Sequence, residues 1–102
     1  KVLNIISQGE MLRLPISQIN YAEVNSNYIT IHSQQTITLK MTLSELEKKL
    51  DSHFFRAGRS ALVNLKKISR VTKKEIYLQD GSIIPLPRGA YEKVNRAIIN
   101  MD

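Results

Sequence analysis

Short apolar segments separated by turn residues run along most of this chain, and they constrain its fold more than any other feature. The clearest case is Asp80-Gly81, which lies between two apolar segments. This pattern is typical of a tight β-hairpin and pairs residues 75–78 with residues 83–86. The first forty residues alternate apolar and polar positions in the same way. The chain is therefore predicted to be mainly β, with about eight to ten short strands.

Helical spacing occurs in only two segments. Thr42 and Glu45 form a capping-box pattern at the start of residues 43–50, where leucines recur at helical intervals. A second segment opens at Gly89 and carries four apolar residues at the same spacing: Tyr91, Val94, Ala97 and Ile98. One short internal helix and one C-terminal helix are expected.

A chain of 102 residues is long enough for one domain with a single core. Phe54 and Phe55 are predicted to be core residues. Pro85 and Pro87 could not sit in a central strand, so their strand is predicted to lie at a sheet edge or to end there. Because the first residue is Lys1 rather than Met, residues 1–102 are expected to be one piece of a longer protein.

Composition argues against several classes of function. The chain has no cysteine, so it can form neither disulfides nor thiolate metal sites. Its apolar runs are far shorter than a membrane span, and no secretory signal opens it, so a cytoplasmic protein without a membrane partner is expected. His32 and His53 belong to no metal or catalytic motif, and the glycines form no phosphate loop. No enzyme activity, metal, cofactor or small-molecule substrate is predicted.

Positive charge is concentrated in one tract. The chain carries a net charge of +6, and residues 56–74 hold seven basic residues and no acid. The seven are Arg56, Arg59, Lys66, Lys67, Arg70, Lys73 and Lys74. A solvated basic face without function is the alternative, but dense Lys and Arg favour a polyanion, because neutralising phosphates releases counterions. Nucleic acid is the predicted partner.

Three polar clusters interrupt the β pattern at strand ends, at residues 25–28, 58–60 and 87–89. Arg59 and Arg88 have no acidic residue close by in sequence, and the guanidinium fork can bind guanine or phosphate through two hydrogen bonds. Asn25 and Asn27 could contact an adenine edge, although on their own they are better explained as turn residues.

Four segments, in order, resemble the LytTR DNA-binding domain, typically the C-terminal output half of bacterial two-component response regulators. They are INYAEVNSNYITI (19–31), TLSELEKKL (42–50), FFRAGRSALVNLKKI (54–68) and LQDGSIIPLPRGAYEKV (78–94). The resemblance implies an elongated arrangement of antiparallel β-sheets with about ten strands and no recognition helix. It also implies that loops at strand ends enter two successive major grooves of a duplex that bends toward the protein.

The resemblance also implies roles for individual residues. The base-contact candidates are Arg88, Asn27, Tyr28 and Arg59, with Arg88 the first choice for guanine. The DNA-backbone candidates are Asn25, Ser26, Ser60, Lys66, Lys67, Gly89 and Lys93. Family regulators commonly occupy paired sites, so a second copy is a possible partner. Asn64 also matches the family and is interpreted as a structural hydrogen-bonding residue.

One position departs from the family pattern. The family usually has His before the second Arg, and this chain has Gly58. A side chain is therefore missing at that contact point, the turn is expected to be freer, and relaxed central specificity would follow. Two alternatives to duplex binding are an RNA or single-strand binder and a protein-interaction module. The first relies on stacking aromatics, of which the chain has only six, and the second is left open by composition.

Overall fold

A computed structural model describes residues 1–101, which contain ten strands and two α-helices. The strands are β1 (Val2–Ser7), β2 (Glu10–Pro15), β3 (Tyr21–Asn25), β4 (Tyr28–His32), β5 (Thr36–Lys40), β6 (Phe54–Ala57), β7 (Ala61–Asn64), β8 (Ile68–Val71), β9 (Glu75–Leu78) and β10 (Ile83–Pro85). The helices are α1 (Leu43–Lys49) and α2 (Tyr91–Asn100), and two short 3-10 turns occupy Ile16–Gln18 and Leu65–Lys67.

The described strands form three antiparallel sheets. The N-terminal sheet is the hairpin β1-β2, the central sheet has the order β5-β4-β3-β7-β6, and the C-terminal sheet has the order β10-β9-β8. The molecule is elongated, with principal extents of 40 × 29 × 24 Å. The predicted mainly β, elongated architecture with two helices is confirmed. Neither helix of residues 1–101 is long and apolar enough to cross a membrane.

The Asp80-Gly81 hairpin forms as predicted. Ile83 lies opposite Tyr77, and Pro85 lies opposite Glu75. The Asp80 carboxylate accepts hydrogen bonds from the backbone and side chain of Ser82, which closes the turn. Strand β10 is an edge strand and ends at Pro85, because a proline nitrogen cannot donate to a neighbouring strand.

Strand β7 is buried along its whole length because apolar layers cover both faces. Leu62 packs into the cluster formed with the N-terminal sheet and α1. Ala61 and Val63 belong to the cluster formed with the C-terminal sheet and α2. The alternation of side chains along one strand thus joins two cores, and it holds the turns at either end of β7 in fixed positions.

Phe54 and Phe55 are only partly buried, which corrects their prediction as core residues. Both lie on β6, the outer strand of the central sheet, so neighbours cover them on one side. Phe54 packs against the hydrophobic cluster formed with the N-terminal sheet and α1, and Phe55 packs against the one formed with the C-terminal sheet and α2. Position at a sheet edge, which the sequence does not show, decides their exposure.

Helix α1 begins with the predicted capping box. The Glu45 backbone N–H donates to Thr42 Oγ1 at 3.0 Å, and the Thr42 backbone N–H donates to Glu45 Oε1 at 2.9 Å. The hydrogen bond from the Thr42 backbone lowers the pKa of the Glu45 carboxyl below its usual value. The helix ends at Lys49, one residue before the predicted end.

Candidate nucleic-acid interface

The first polar cluster forms the tight turn between β3 and β4. Asn25 pairs with Tyr28 across the hairpin, so Ser26 and Asn27 are the two loop residues. Ser26 has a φ of +63°, a left-handed conformation that is uncommon for a residue with a side chain. All four residues are exposed. Tyr28 lies opposite Lys40 of β5, which brings a lysine to the same end of the central sheet.

The second cluster forms the turn between β6 and β7, directly beside the first. The Val24 backbone N–H donates to the Ser60 carbonyl oxygen at 2.9 Å, next to the β3–β4 turn. The two turns flank an open cleft of about 430 Å³, whose lining includes Ser26, Asn27, Lys40 and Arg59. The central sheet therefore brings together two sites that lie thirty or more positions apart in sequence.

The third cluster, around Arg88, packs against the second. Gly58 has a φ of +71°, and a Cβ atom built on it would lie 2.8 Å from Pro87 Cγ. The Leu86 backbone N–H donates to the Lys74 carbonyl oxygen at 2.8 Å, which places the β8–β9 turn at the same end. Arg88 and Gly89 share a second open cleft, of about 520 Å³, with Lys73 and Lys74.

Six basic residues line the two clefts. Arg56 is paired with Glu47, and the other five define what is called the cationic end here: Lys40, Arg59, Lys73, Lys74 and Arg88. All five are exposed. The acidic residues in the two cleft linings are Glu45 and Glu92, and the Glu45 carboxylate already accepts from the Thr42 backbone. The balance of charge at this end suits a polyanion.

The arginines of the basic tract differ in their internal partners. Arg56 donates to Glu47 Oε1 at 3.0 Å and to the Gly58 carbonyl oxygen at 3.0 Å. The Arg70 guanidinium lies 3.8 Å from the centre of the Tyr77 ring. Within residues 1–101, Arg59 and Arg88 form neither an ion pair nor a side-chain hydrogen bond with protein. Their guanidinium donors are free for a ligand.

The remaining backbone candidates lie in two places. Lys93 is exposed in the first turn of α2, four residues after Gly89. Lys66 and Lys67 follow β7 in a 3-10 turn, at the opposite end of that strand from Arg59. At about 3.3 Å per residue, β7 alone separates the two ends by roughly 10 Å. The structure does not bring Lys66 and Lys67 to the cationic end.

Sequence reasoning missed Lys40, Lys73 and Lys74 as site residues. Lys40 is the last residue of a strand, and its position opposite Tyr28 depends on pairing between β4 and β5. Lys73 and Lys74 belong to the basic tract that predicted a nucleic-acid partner, but sequence reasoning assigned neither of them an individual role. Their position in the turn between β8 and β9 was the available signal. The Lys74 carbonyl oxygen in this turn accepts a hydrogen bond from the Leu86 backbone N–H, two residues before Arg88.

Several polar residues have structural roles. Asn64 is buried, donates from Nδ2 to the Ile19 carbonyl oxygen at 2.8 Å, and accepts from the Lys66 backbone N–H. This matches its predicted role. His32 Nε2 lies 2.6 Å from Glu23 Oε2, and His53 pairs with Asp51. In residues 1–101, no group of three or more acidic or histidine side chains could hold a metal ion.

Comparison with known protein families assigns the whole chain, rather than any single residue, to a family. The sequence profile of the LytTr DNA-binding domain matches residues 9–99. The chain belongs to the LytTR family. The resemblance found in the four sequence segments is confirmed, and the chain is a DNA-binding domain of the type found in transcriptional regulators.

Two similar proteins are named as transcriptional regulators. The transcriptional regulatory protein YpdB of Escherichia coli K12 is 32% identical over 71 residues, which cover 68% of this chain and 29% of YpdB. An uncharacterized HTH-type transcriptional regulator of Staphylococcus aureus (strain NCTC 8325) is 36% identical over 67 residues, covering 61% of this chain and 46% of that protein. The chain thus spans under half the length of either relative.

A solved structure has the same fold. The LytTr DNA-binding domain of a Bacillus cereus response regulator superposes with a TM-score of 0.76 at 21% identity, covering 98% of this chain and 97% of that one. The match extends over all three sheets and both helices, so it supports the architecture described above.

Proposed function

We propose that this LytTR domain reads a specific duplex sequence through its cationic end, as the output domain of a longer bacterial response regulator. The observation that carries the proposal is the convergence of three strand-end turns on one end of the molecule, where Arg59 and Arg88 have no side-chain partner among residues 1–101. Guanidinium groups held beside strand ends, with Arg59 between β6 and β7 and Arg88 between β10 and α2, suit recognition of base edges in a major groove. The short coverage of YpdB, 29% of its length, supports the larger regulator.

The proposed contacts divide into two kinds. Arg88, Arg59, Asn27 and Tyr28 contact base edges, and Asn25, Ser26, Ser60 and Gly89 lie beside them at the DNA backbone. Lys40, Lys73 and Lys74 join Lys93 as phosphate contacts that set the position of the duplex without reading its sequence. Lys66 and Lys67 remain candidates for a duplex that extends past the end of β7.

Exposure of the aromatic residues favours a duplex over single strands. Single-strand binders stack bases on exposed aromatic side chains. Of the six aromatic residues, all of which lie in the described part of the chain, only Tyr28 is exposed. Burial raises the pKa of Tyr21, and a hydrogen bond to Glu75 raises that of Tyr77. A binding role in the bacterial cytoplasm, where the chromosome lies, rather than catalysis, completes the proposal.

Selection from a random duplex library with the purified chain, repeated at two salt concentrations, tests this function. We expect enrichment of a motif with two blocks separated by about one helical turn, roughly 10 base pairs. Affinity for all duplexes should fall as salt rises, because phosphate contacts release counterions. Two tandem copies of the motif would indicate a second protein copy on paired sites. Salt-sensitive binding without an enriched motif would overturn sequence-specific recognition.

A further inference from the structure

The turn between β6 and β7 is held by contacts on three sides. Its Ser60 carbonyl oxygen accepts from the Val24 backbone N–H at 2.9 Å, beside the β3–β4 turn. Its Gly58 carbonyl oxygen accepts from Arg56 Nε at 3.0 Å, and the same arginine is paired with Glu47 of α1. On its other side, the turn meets the ring of Pro87.

The contact between Gly58 and Pro87 is too close for any other residue type. A Cβ at position 58 would lie 2.8 Å from Pro87 Cγ and 3.8 Å from Pro87 Cβ. Real side chains essentially never approach this closely, so a substitution must push the proline ring away. Gly58 is therefore required by the packing of two segments, besides the conformational freedom that its φ of +71° demands.

Each partner in this contact adjoins a predicted base-reading arginine. Gly58 precedes Arg59, and Pro87 precedes Arg88. Because proline fixes its own φ near −65°, the ring holds the Arg88 backbone in one direction. The position of Arg88 relative to Arg59 and to the β3–β4 turn thus depends on a single contact between rigid segments.

We infer that the packing of Pro87 against Gly58 sets the distance from Arg88 to the other base-reading region, which consists of Arg59 and the β3–β4 turn. This distance would determine the spacing of the two DNA blocks that the chain accepts. The inference rests on the proposed function and adds to it two positioning residues, neither of which needs to touch DNA. One base pair moves a block by about 3.4 Å along the duplex and rotates it by roughly a tenth of a turn, so a fixed distance should discriminate spacings sharply.

Pro87→Ala is the decisive variant because it removes the Cγ atom in contact and leaves the Cβ at its more distant position. Binding is measured to the selected motif and to duplexes with one base pair added or removed between the blocks. For the native chain, a changed spacing should weaken binding about tenfold or more, comparable with loss of one base contact. Pro87→Ala should reduce that penalty to about threefold or less, with random-duplex affinity unchanged.

Gly58→Ala tests the same contact from its other side. It should weaken binding to the motif about tenfold, as displacement of one base contact would. The double variant Gly58→Ala with Pro87→Ala should bind the motif better than Gly58→Ala alone, because the ring atom that clashes is absent. Thermal unfolding of each variant separates this effect from loss of the fold.

Two matched controls are available in the β9–β10 region. Gly81 has a φ of +94° with open space around it, so Gly81→Ala reproduces the backbone strain without the contact. Pro85 is an exposed proline two residues before Pro87, so Pro85→Ala reproduces the chemical change. Both controls should keep the native spacing preference.

The outcomes separate this inference from the proposed function. If the native chain enriches no motif, sequence-specific recognition falls. If the native chain reads a motif but Pro87→Ala keeps its full spacing penalty, recognition stands and the positioning role of the Gly58–Pro87 contact is wrong. A spacing penalty that drops equally in Pro85→Ala would also contradict the inference.

Discussion

Polar residues at the two ends of strand β7 differ in exposure and in hydrogen bonding. At the cationic end, Arg59 is exposed, has no protein partner within residues 1–101, and adjoins the turn that carries Ser26. At the other end, Asn64 is buried with both its amide N–H and its oxygen in hydrogen bonds, and Lys66 shares a small cleft with Asp51. One end is satisfied internally, and the other offers its donors to a ligand.

This difference shows that charge density along a sequence is a poor measure of charge density in space. The seven basic residues of the tract at 56–74 separate into three groups. Arg56 and Arg70 contact protein side chains, although Arg56 also lines the cleft beside Arg59. Lys66 and Lys67 lie at the far end of β7, and Arg59, Lys73 and Lys74 form part of the cationic end. Mutations at the two ends should therefore have different consequences for DNA.

Arg88→Ala should produce the largest effect. Loss of a guanidinium that contacts a base through two hydrogen bonds should cost about 1–3 kcal/mol on the selected motif and almost nothing on random duplex. Equilibrium binding to both duplexes measures this difference. Arg96→Ala, an exposed arginine further along α2, removes the same charge and serves as the control. An equal loss on both duplexes would make Arg88 a phosphate contact.

Arg59→Ala should have the next largest effect, about 1 kcal/mol on the motif, at the low end for a base contact. The β6–β7 turn that carries Arg59 lies between the β3–β4 turn and the segment around Arg88. We therefore expect Arg59 to contact the middle of the DNA site. Arg13→Ala in the N-terminal sheet removes an equal charge away from both clefts and should leave binding almost unchanged. Similar losses for the two variants in the same titration would show that total charge, not position, determines affinity.

A pair of lysine variants measures how far the duplex extends from the cationic end. A plot of log affinity against log salt has a negative slope, and Lys74→Ala should make this slope less steep by about 0.9, the value for one phosphate contact. Lys66→Ala should change the slope by less, because Lys66 lies beyond the end of β7. Equal changes would place Lys66 at the DNA and extend the interface along the whole strand.

Local signals in the sequence predicted much of this fold. The Asp80-Gly81 turn, the Thr42 capping box and the alternation of β4 and β5 each depend on neighbouring residues, and each forms as predicted. Arg59 and Arg88 were predicted as site residues because each lies in a polar cluster at a strand end with no acidic residue close by in sequence. These features are encoded within a few residues, so they can be recognised without the tertiary structure.

Features that depend on strand order could not be predicted in this way. The exposure of Phe55 is set by the place of β6 at a sheet edge, and the role of Lys40 is set by its pairing with Tyr28. The reason for Gly58 is likewise distant, because Pro87 lies 29 positions later. The sequence predicted a freer turn at this glycine, and that prediction is wrong, because Val24, Arg56 and Pro87 hold the turn in place.

The smallest expected effect concerns two strained turns, one between β3 and β4 of the central sheet and one between β1 and β2 of the N-terminal sheet. Ser26 and Gln8 are the non-glycine residues with positive φ in residues 1–101, at +63° and +53°. Gln8 shares a cleft with Gln35 and Thr36, remote from the cationic end. Glycine relieves left-handed strain but adds unfolded-state entropy, so Ser26→Gly and Gln8→Gly should each raise the free energy of unfolding by about 0.5 kcal/mol.

DNA binding should distinguish these two turns although their stability changes match. Ser26→Gly removes a side chain beside the proposed base contacts and loosens the loop that holds Asn27, so it should weaken binding to the motif two- to threefold, roughly 0.5 kcal/mol. Gln8→Gly should not change binding. Chemical denaturation and duplex titration of both variants make the comparison. If both variants lose affinity equally, the strain at Ser26 has no special relation to the DNA-binding end, and the contrast between the two ends would rest on charge alone.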